Sequence, residues 1–393
     1  MTNLCRPLLL LVALILSSCS SFENKSLTTH HYGIRPNHIS TEKQNQQLSS
    51  YAQYWVKKYL KPYEKIKGTY FVSMKGAGPD GENSITSSEA HGYGMLILSL
   101  LSDEIPNSKK LFYGMYKFYE SHPSLNNPLN MSWIVHKSKT KKYASATDGD
   151  LDIAYALLIA HKKWGSYKNT NYKNKAINMI NHGIKKSDLT KNRVTLGDWD
   201  TNIFHSRPSD WMPLYFKTFY NQTGDSFWLD HYNQVYSSIL KIQKEHSPRT
   251  GLIPDFVISQ KLHPAPKNYL NEKTNDFSWN ACRVPLRLVL DYDINNNAKS
   301  KRALSKIMDW MTSQTKNNPK SIKSGYSLKG VPHNNYASSS FIAPIIAAST
   351  IDKKYQAYLN KGWDHLVVTK TNYYDDTLTL ITLSYLTNHW KRI

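Results

Sequence analysis

Cysteine is almost missing from this chain. Of three, Cys5 and Cys19 lie near the start and only Cys282 is left for the body, which rules out a disulfide framework or a thiolate metal cluster there. The histidines show no ligand spacing, with His30-His31 a mere dipeptide, so no metal and no cofactor is expected. Acid is short as well. The 29 Asp and Glu face 50 Lys and Arg, a net charge of +21. Those cations are spread along the whole chain, with no Arg-rich block, zinc-finger spacing or RNP-type run, so no nucleic-acid partner is expected. A solvated basic surface beside anionic envelope polymers fits better. The apolar run Leu8–Leu16 is too short to span a bilayer comfortably. Runs of β-branched residues are few, and no low-complexity linker divides the chain. No repeat of roughly 34 to 47 residues supports a helical solenoid.

The apolar run follows an Arg and ends in Leu16-Ser17-Ser18-Cys19, which resembles the lipobox of bacterial lipoproteins. The resemblance implies a signal peptide at 1–18, a lipid on Cys19, and export to the bacterial cell envelope. The outer membrane is the destination where the organism has one. Ser21–Lys43 is polar and low in apolar residues, so 19–43 reads as a lipid-anchored tether and 44–393 as a single domain.

Helical patterns follow near 44–62, 89–103, 107–120, 147–165, 172–187, 209–222, 225–245, 278–294, 298–316, 337–350, 353–367 and 374–389. They are of two kinds. SKKLFYGMYKFYE keeps Leu111, Phe112, Met115 and Phe118 on one stripe, whereas EAHGYGMLILSLL, DLDIAYALLIA and SSSFIAPIIAAS are apolar all round. Buried and amphipathic helices alternate, which describes an all-α, single-domain (α/α)6 barrel of six helical hairpins. A closed barrel leaves no obvious interface, so a monomer is expected.

The stretch Ala144–Trp164 organises the rest. Thr147 is placed to cap it, three carboxylates (Asp148, Asp150, Asp152) crowd its first turns, and the remainder is apolar. Other buried helices open with Glu89, with Asp210, with Trp279-Asn280 and with Asp375-Asp376. In a barrel these parallel N-termini share one face, so the carboxylates converge on one cleft. Convergent carboxylates, together with 27 Tyr and 10 Trp, suit glycoside hydrolysis, which needs a protonated acid at the leaving oxygen and a base for water.

The residues also carry a resemblance. A-T-D-G-D-x-x-I-A-x-x-L-x-x-A-x-x-x-W at Ala146–Trp164 resembles the signature of glycoside hydrolase family 8. So do S-E-A-H-G-Y-G-M at Ser88–Met95, S-R-P-S-D-W-M at Ser206–Met212 and N-A-C-R-V-P at Asn280–Pro285. The resemblance implies an endo-acting, inverting enzyme on an (α/α)6 barrel that cuts β-1,4 linkages in a polysaccharide. Glu89 then matches the general acid, and Asp148 the residue that holds the sugar at the cleavage point. A helix N-terminus favours the ionised carboxylate, so burial and nearby Asp148 must raise the pKa of Glu89 against the dipole.

The base departs from the commonest family pattern, which has Asp where this chain has Asn280. In the family's chitosanase-like branch that Asn is usual and a Glu of the preceding loop is the proposed base. Glu272 resembles that Glu, with Asp276 the alternative. Tyr93, Trp133, Trp199 and Trp279 are candidate stacking platforms for sugar rings, and Arg283 a fork onto Asp148 or a sugar hydroxyl. Asn280 and Asp210 complete the substrate-binding candidates, Asp210 also being a candidate partner for Arg207. The branch points to chitosan or to mixed-linkage β-glucan. Chitosan is a polycation, which a net charge of +21 repels unless Asp148, Asp150, Asp198, Asp200, Asp210 and Glu272 make the cleft acidic. The alternatives are an endoglucanase or xylanase of the same family, or a glycan-binding lipoprotein disabled by loss of the Asp base.

Overall fold

The computed structural model describes residues 30–137, 142–191, 193–271 and 275–393. Twelve helices run through them: α1 (Thr41–Tyr59), α2 (Ser88–Leu100), α3 (Ser108–Ser121), α4 (Thr147–Trp164), α5 (172–187, with a π-helical turn at Met179–Ile184), α6 (Pro213–Thr223), α7 (Ser226–Glu245), α8 (Val284–Asn295), α9 (Ala298–Gln314), α10 (Ser339–Ala348), α11 (Gln356–Leu366) and α12 (Tyr373–Leu386). The even-numbered helices form an inner ring. In it α2 packs on α4, α8 on α6 and α10, α10 on α12, and α12 back on α2. The odd-numbered helices surround it, each burying one stripe. In α3 that stripe is Phe112, Met115 and Phe118, while Lys110 and Lys117 face water. The chain is thus the (α/α)6 barrel that its alternating patterns imply, and among the described residues the strands are four short two-stranded ribbons at the loops.

The inner helices are buried over most of their length because their residues are largely apolar and their polar groups find partners inside the ring. All ten residues of α10 are buried, as is α4 from Thr147 to Ala160. Two exceptions mark a function. In α2 the one residue that escapes full burial is Glu89, and in α12 it is Tyr374. Polar groups inside the ring are paired. Arg287 of α8 donates to both oxygens of Asp152 of α4 at 3.0 and 2.9 Å, and Tyr215 of α6 donates to the same carboxylate at 2.7 Å. Removing one member of such a buried set costs about 3–5 kcal/mol, because the rest is left uncompensated.

Three local expectations need correction. The helical patterns from 209 and from 278 become 3-10 turns first (Pro208–Asp210 and Ala281–Arg283). The α-helices begin only at Pro213 and Val284, since a proline near N1 starts a helix and disfavours α-geometry before it. Thr147 is not the cap of α4. It is already helical, Ala146 holds the cap position, and the Thr147 hydroxyl donates to the Thr195 carbonyl at 2.8 Å. The stretch expected to be a tether as far as Lys43 belongs to the folded body from His31 onwards. The Gly33 amide and the side chains of His31 and Arg35 all bind the buried Asp293 carboxylate, at 2.7, 2.6 and 2.7 Å. Asp293 sits in the last turn of α8, so this segment crosses the end of the barrel at which the inner helices finish, here called the base.

Candidate active site

The opposite end, where the inner helices start, holds a cleft of about 660 Å³. Two glycines explain why its charged residues meet. A Cβ on Gly149 would lie 2.4 Å from Ser88 Oγ, and one on Gly92 would lie 2.8 Å from Asp152 Cβ. Glycine at both lets the first turns of α2 and α4 touch, which sets Glu89 beside Asp148.

Two arginines complete the group. Arg283, 1 % exposed, bonds through Nη1 to the Glu89 carboxyl and, at 2.9 Å, to Asp148 Oδ2. Its Nη2 donates to Ser209 Oγ at 2.9 Å and to Asn280 Oδ1 at 3.1 Å. Arg207 Nη2 lies 3.0 Å from Asp148 Oδ1, while its Nε donates to both oxygens of Asp210. The backbone N–H of Gly149 adds a bond to Asp148 Oδ1 at 2.9 Å.

The electrostatics divide the carboxyls by role. Burial pushes the Glu89 pKa up to about 7; Arg283 opposes this and Asp148 reinforces it. Asp148 is more deeply buried, yet Arg207 and Arg283 together hold its pKa well below the usual carboxylate range. Burial raises Asp210 to about 6, against the pull of Arg207. The group therefore carries one fixed anion next to one carboxyl that keeps a proton near neutrality. This is the pairing of environments that separates an acid from its stabiliser.

Each expected site residue now has a place. Glu89, Asp148, Asn280 and Arg283 converge, and Trp279 lines the cleft with 42 % of its surface free, edge-on to Phe341 at 5.0 Å. Trp133 and Trp199 are exposed on loops at the same end. Tyr93 is not a stacking platform. It is 1 % exposed, one turn below Glu89, and its hydroxyl meets Arg283 at 3.3 Å. Asp210 does not reach substrate either; it is fully buried behind Arg207. Nor does Asp150 make the cleft acidic, since it is buried and accepts from the Met131 amide at 2.8 Å. Glu272 lies outside the described residues. Asp276 is partly buried and hydrogen-bonded to His333 of the cleft wall at 2.9 Å.

Sequence reasoning missed Asp255. Its Oδ1 accepts from the backbone amides of Ser278, Asn280 and Ala281, at 3.1, 3.1 and 2.6 Å. It thereby fixes the turn that carries Trp279, Asn280 and Arg283, and it lines the cleft while only 1 % exposed. The available signal was a lone acid in the otherwise uncharged stretch Gly251–Val257, all of it buried. Missed too was the second contact of Arg207, onto Asp148. Among the described residues no group of three or more His, Cys, Asp or Glu is arranged to hold a metal ion.

Comparison with known proteins places this geometry. A family model described as glycosyl hydrolases family 8 matches residues 60–388. An endoglucanase of Bacillus sp. (strain KSM-330) is 41 % identical over 91 % of this chain and 79 % of its own length. A beta-glucanase of Niallia circulans is 34 % identical over 92 % and 90 %. Among solved structures, the apo beta-1,3-1,4-glucanase from Paenibacillus sp. X4 superposes with a TM-score of 0.88. It is 32 % identical and covers 93 % of this chain and 98 % of that one.

Proposed function

We propose a substrate and a division of labour for this chain, which belongs to glycosyl hydrolases family 8 and is an endo-acting glycoside hydrolase. The substrate is mixed-linkage β-glucan, cut with inversion at the anomeric carbon. Glu89 gives its proton to the departing glycosidic oxygen as the C1–O bond breaks. Asp148, held ionised by two guanidiniums, binds the sugar at the cleavage point. A water attacks C1 from the other face and loses its proton to a carboxylate base. Asn280 cannot accept that proton, so the base comes from the loop before it: Glu272 on its motif, with Asp276 the alternative. The observation that carries the reading is Glu89 on the wall of an open cleft, beside an Asp148 that two guanidiniums hold, with Arg283 bonded to both carboxyls.

Two features favour glucan over chitosan. Of those three relatives, two are a beta-glucanase and a beta-1,3-1,4-glucanase by name, and the third is an endoglucanase. The net charge of +21 repels a polycation, and burial of Asp150 and Asp210 removes two of the acids that could have offset it. We further propose that the chain acts as a monomer, held at the cell envelope by a lipid on Cys19. The test measures reducing ends released from barley β-glucan and from chitosan, with Glu89→Gln as blank. Release from β-glucan that vanishes in the blank supports the reading. Release from chitosan alone overturns the substrate, and silence on both overturns the mechanism.

A further inference from the structure

Beside the cleft, and outside it, the chain builds a second groove that no step of the hydrolysis uses. One turn of backbone divides the two. Met74 and Ala77 line the cleft, while Lys75 and Gly76 between them line a cavity of about 470 Å³. The turn is closed by the Ala77 amide on the Met74 carbonyl at 3.1 Å, with Lys75 and Gly76 both left-handed at φ of 53° and 80°.

The walls of this cavity are aromatic. The antiparallel ribbon of Leu60–Pro62 and Tyr70–Val72 supplies Phe71, and Tyr63 follows its first strand. The Tyr63 ring stands edge-on to Phe71, Phe118 and His122, at 6.1, 5.0 and 5.4 Å between centroids. Three neighbours hold it rigid, and its hydroxyl bonds none of the described residues. A further pocket, of about 280 Å³, shares Tyr63 and Lys65 with the first and adds Ser121, His122 and Lys142. Lys65 stands at the boundary, its Nζ donating to the Lys137 carbonyl at 3.0 Å. The two pockets therefore form one groove with Tyr63 in the middle.

The rim decides what such a groove takes. Glu64 and Glu82 lie on it with Lys65, Lys75 and Lys137, all five exposed, and neither acid is ion-paired with a lysine. Two carboxylates repel a polyanion, and three ammoniums repel a polycation such as chitosan. A purely apolar guest would strip water from these groups and give nothing back. A neutral chain of hydroxylated rings fits. Its ring faces suit Tyr63 and Phe71, and its hydroxyls both donate to carboxylates and accept from ammoniums. Concavities of this size, with aromatic walls and a few convergent polar groups, are the ordinary form of a ligand site.

We propose that this groove is a second binding site for neutral β-glucan, taking a stretch of polymer beyond the one held in the cleft. The identity of the ligand rests on the substrate reading above; the groove's rings and rim do not. The gain is one of effective concentration. A polymer long enough to lie in both places reaches the second from an already bound state, whereas an oligosaccharide confined to the cleft gains nothing. Millimolar affinity in the groove, set against a millimolar effective concentration, gives a gain of roughly threefold.

The test uses the Glu89→Gln background, so that nothing is cut. Affinity electrophoresis in gels containing barley β-glucan gives the Kd for polymer, and calorimetry gives that for cellotetraose. Glu64→Ala/Glu82→Ala removes two exposed acceptors of the rim. It is expected to weaken polymer binding about threefold, while cellotetraose stays within about 1.5-fold. Tyr63→Ala, checked as folded by its melting temperature, is expected to weaken polymer binding at least as much. Asp230→Ala/Glu245→Ala changes the charge equally on α7, which packs on α6 and α9, and is expected to shift polymer binding by less than about 1.5-fold. Unchanged polymer binding in Glu64→Ala/Glu82→Ala, an equal loss on cellotetraose, an equal loss in the α7 pair, or no retardation of the Glu89→Gln chain would each overturn the groove. The substrate is judged separately, by the reducing ends that the parent chain releases from β-glucan. Release without a polymer-specific loss refutes the groove alone, and a polymer-specific loss without release refutes the substrate alone.

Discussion

Replacing Asp148 with Asn tests the electrostatic argument at its centre. The substitution keeps the size and one acceptor oxygen but removes the anion beside Glu89. Both guanidiniums remain, Arg283 bonded to Glu89 and Arg207 one residue away. Their pull on Glu89 is then unopposed, and its pKa must fall from about 7. Two unit charges about 4 Å apart interact by about 4 kcal/mol at an effective dielectric of 20, which corresponds to about 3 pKa units. Allowing for relaxation, we expect a fall of at least about 2 units. At pH 7 the protonated fraction of Glu89 then drops from about one half to about one hundredth, and turnover falls by that roughly fiftyfold factor before any loss of sugar positioning is counted. The assay is twofold: the basic limb of the kcat/KM profile on barley β-glucan, and carbon NMR titration of labelled glutamate, with Glu89→Gln to assign the Glu89 signal. A Glu89 signal in the Asp148→Asn chain that still titrates near 7 would refute the reasoning, whatever the activity.

Other outcomes follow from the same geometry. A carboxyl whose folded pKa is raised contributes stability below its ordinary pKa and loses it as pH rises through the folded value. Glu89→Gln should therefore melt higher than the parent, with a gap of a few degrees that widens from pH 5 to pH 8 by calorimetry. Glu272→Gln should abolish turnover on β-glucan while binding of cello-oligosaccharide by calorimetry stays within a few-fold; near-parental activity in it and loss in Asp276→Asn would transfer the role to Asp276. Gly149→Ala should force α2 and α4 apart, since its Cβ falls 2.4 Å from Ser88 Oγ. We expect about 2–4 kcal/mol of lost stability in denaturant titrations and a fall in kcat larger than any rise in KM.

The fold was open to reading because a buried helix writes itself as an apolar run, and three of the six inner helices, α2, α4 and α10, do so. The meeting of Glu89 and Asp148 was equally legible, as charges at the mouths of helices with no polar face to explain them. What escaped has a physical reason in each case. Tyr93 looked like a platform because aromatic rings favour sugar, but one turn inward from Glu89 the inner ring is already closed over it. Asp210 shares a motif with the cleft yet serves it through Arg207. Asp255 acts on backbone amides, which have no side-chain signature, so no partner for it could be named from the letters alone. The starts of α6 and α8 were misjudged because one proline ends ambiguity only at its own position.

The bond from Arg283 to Glu89 joins residues 194 apart, and that to Asp148 spans 135. Contacts of such long range are late events in folding, for the intervening loop entropy must first be overcome. Helices, by contrast, form from neighbours. A refolding chain should thus regain most of its helical circular dichroism well before any hydrolytic activity appears. Hydrolysis would therefore be silent throughout synthesis and would switch on only once the ring finally closes.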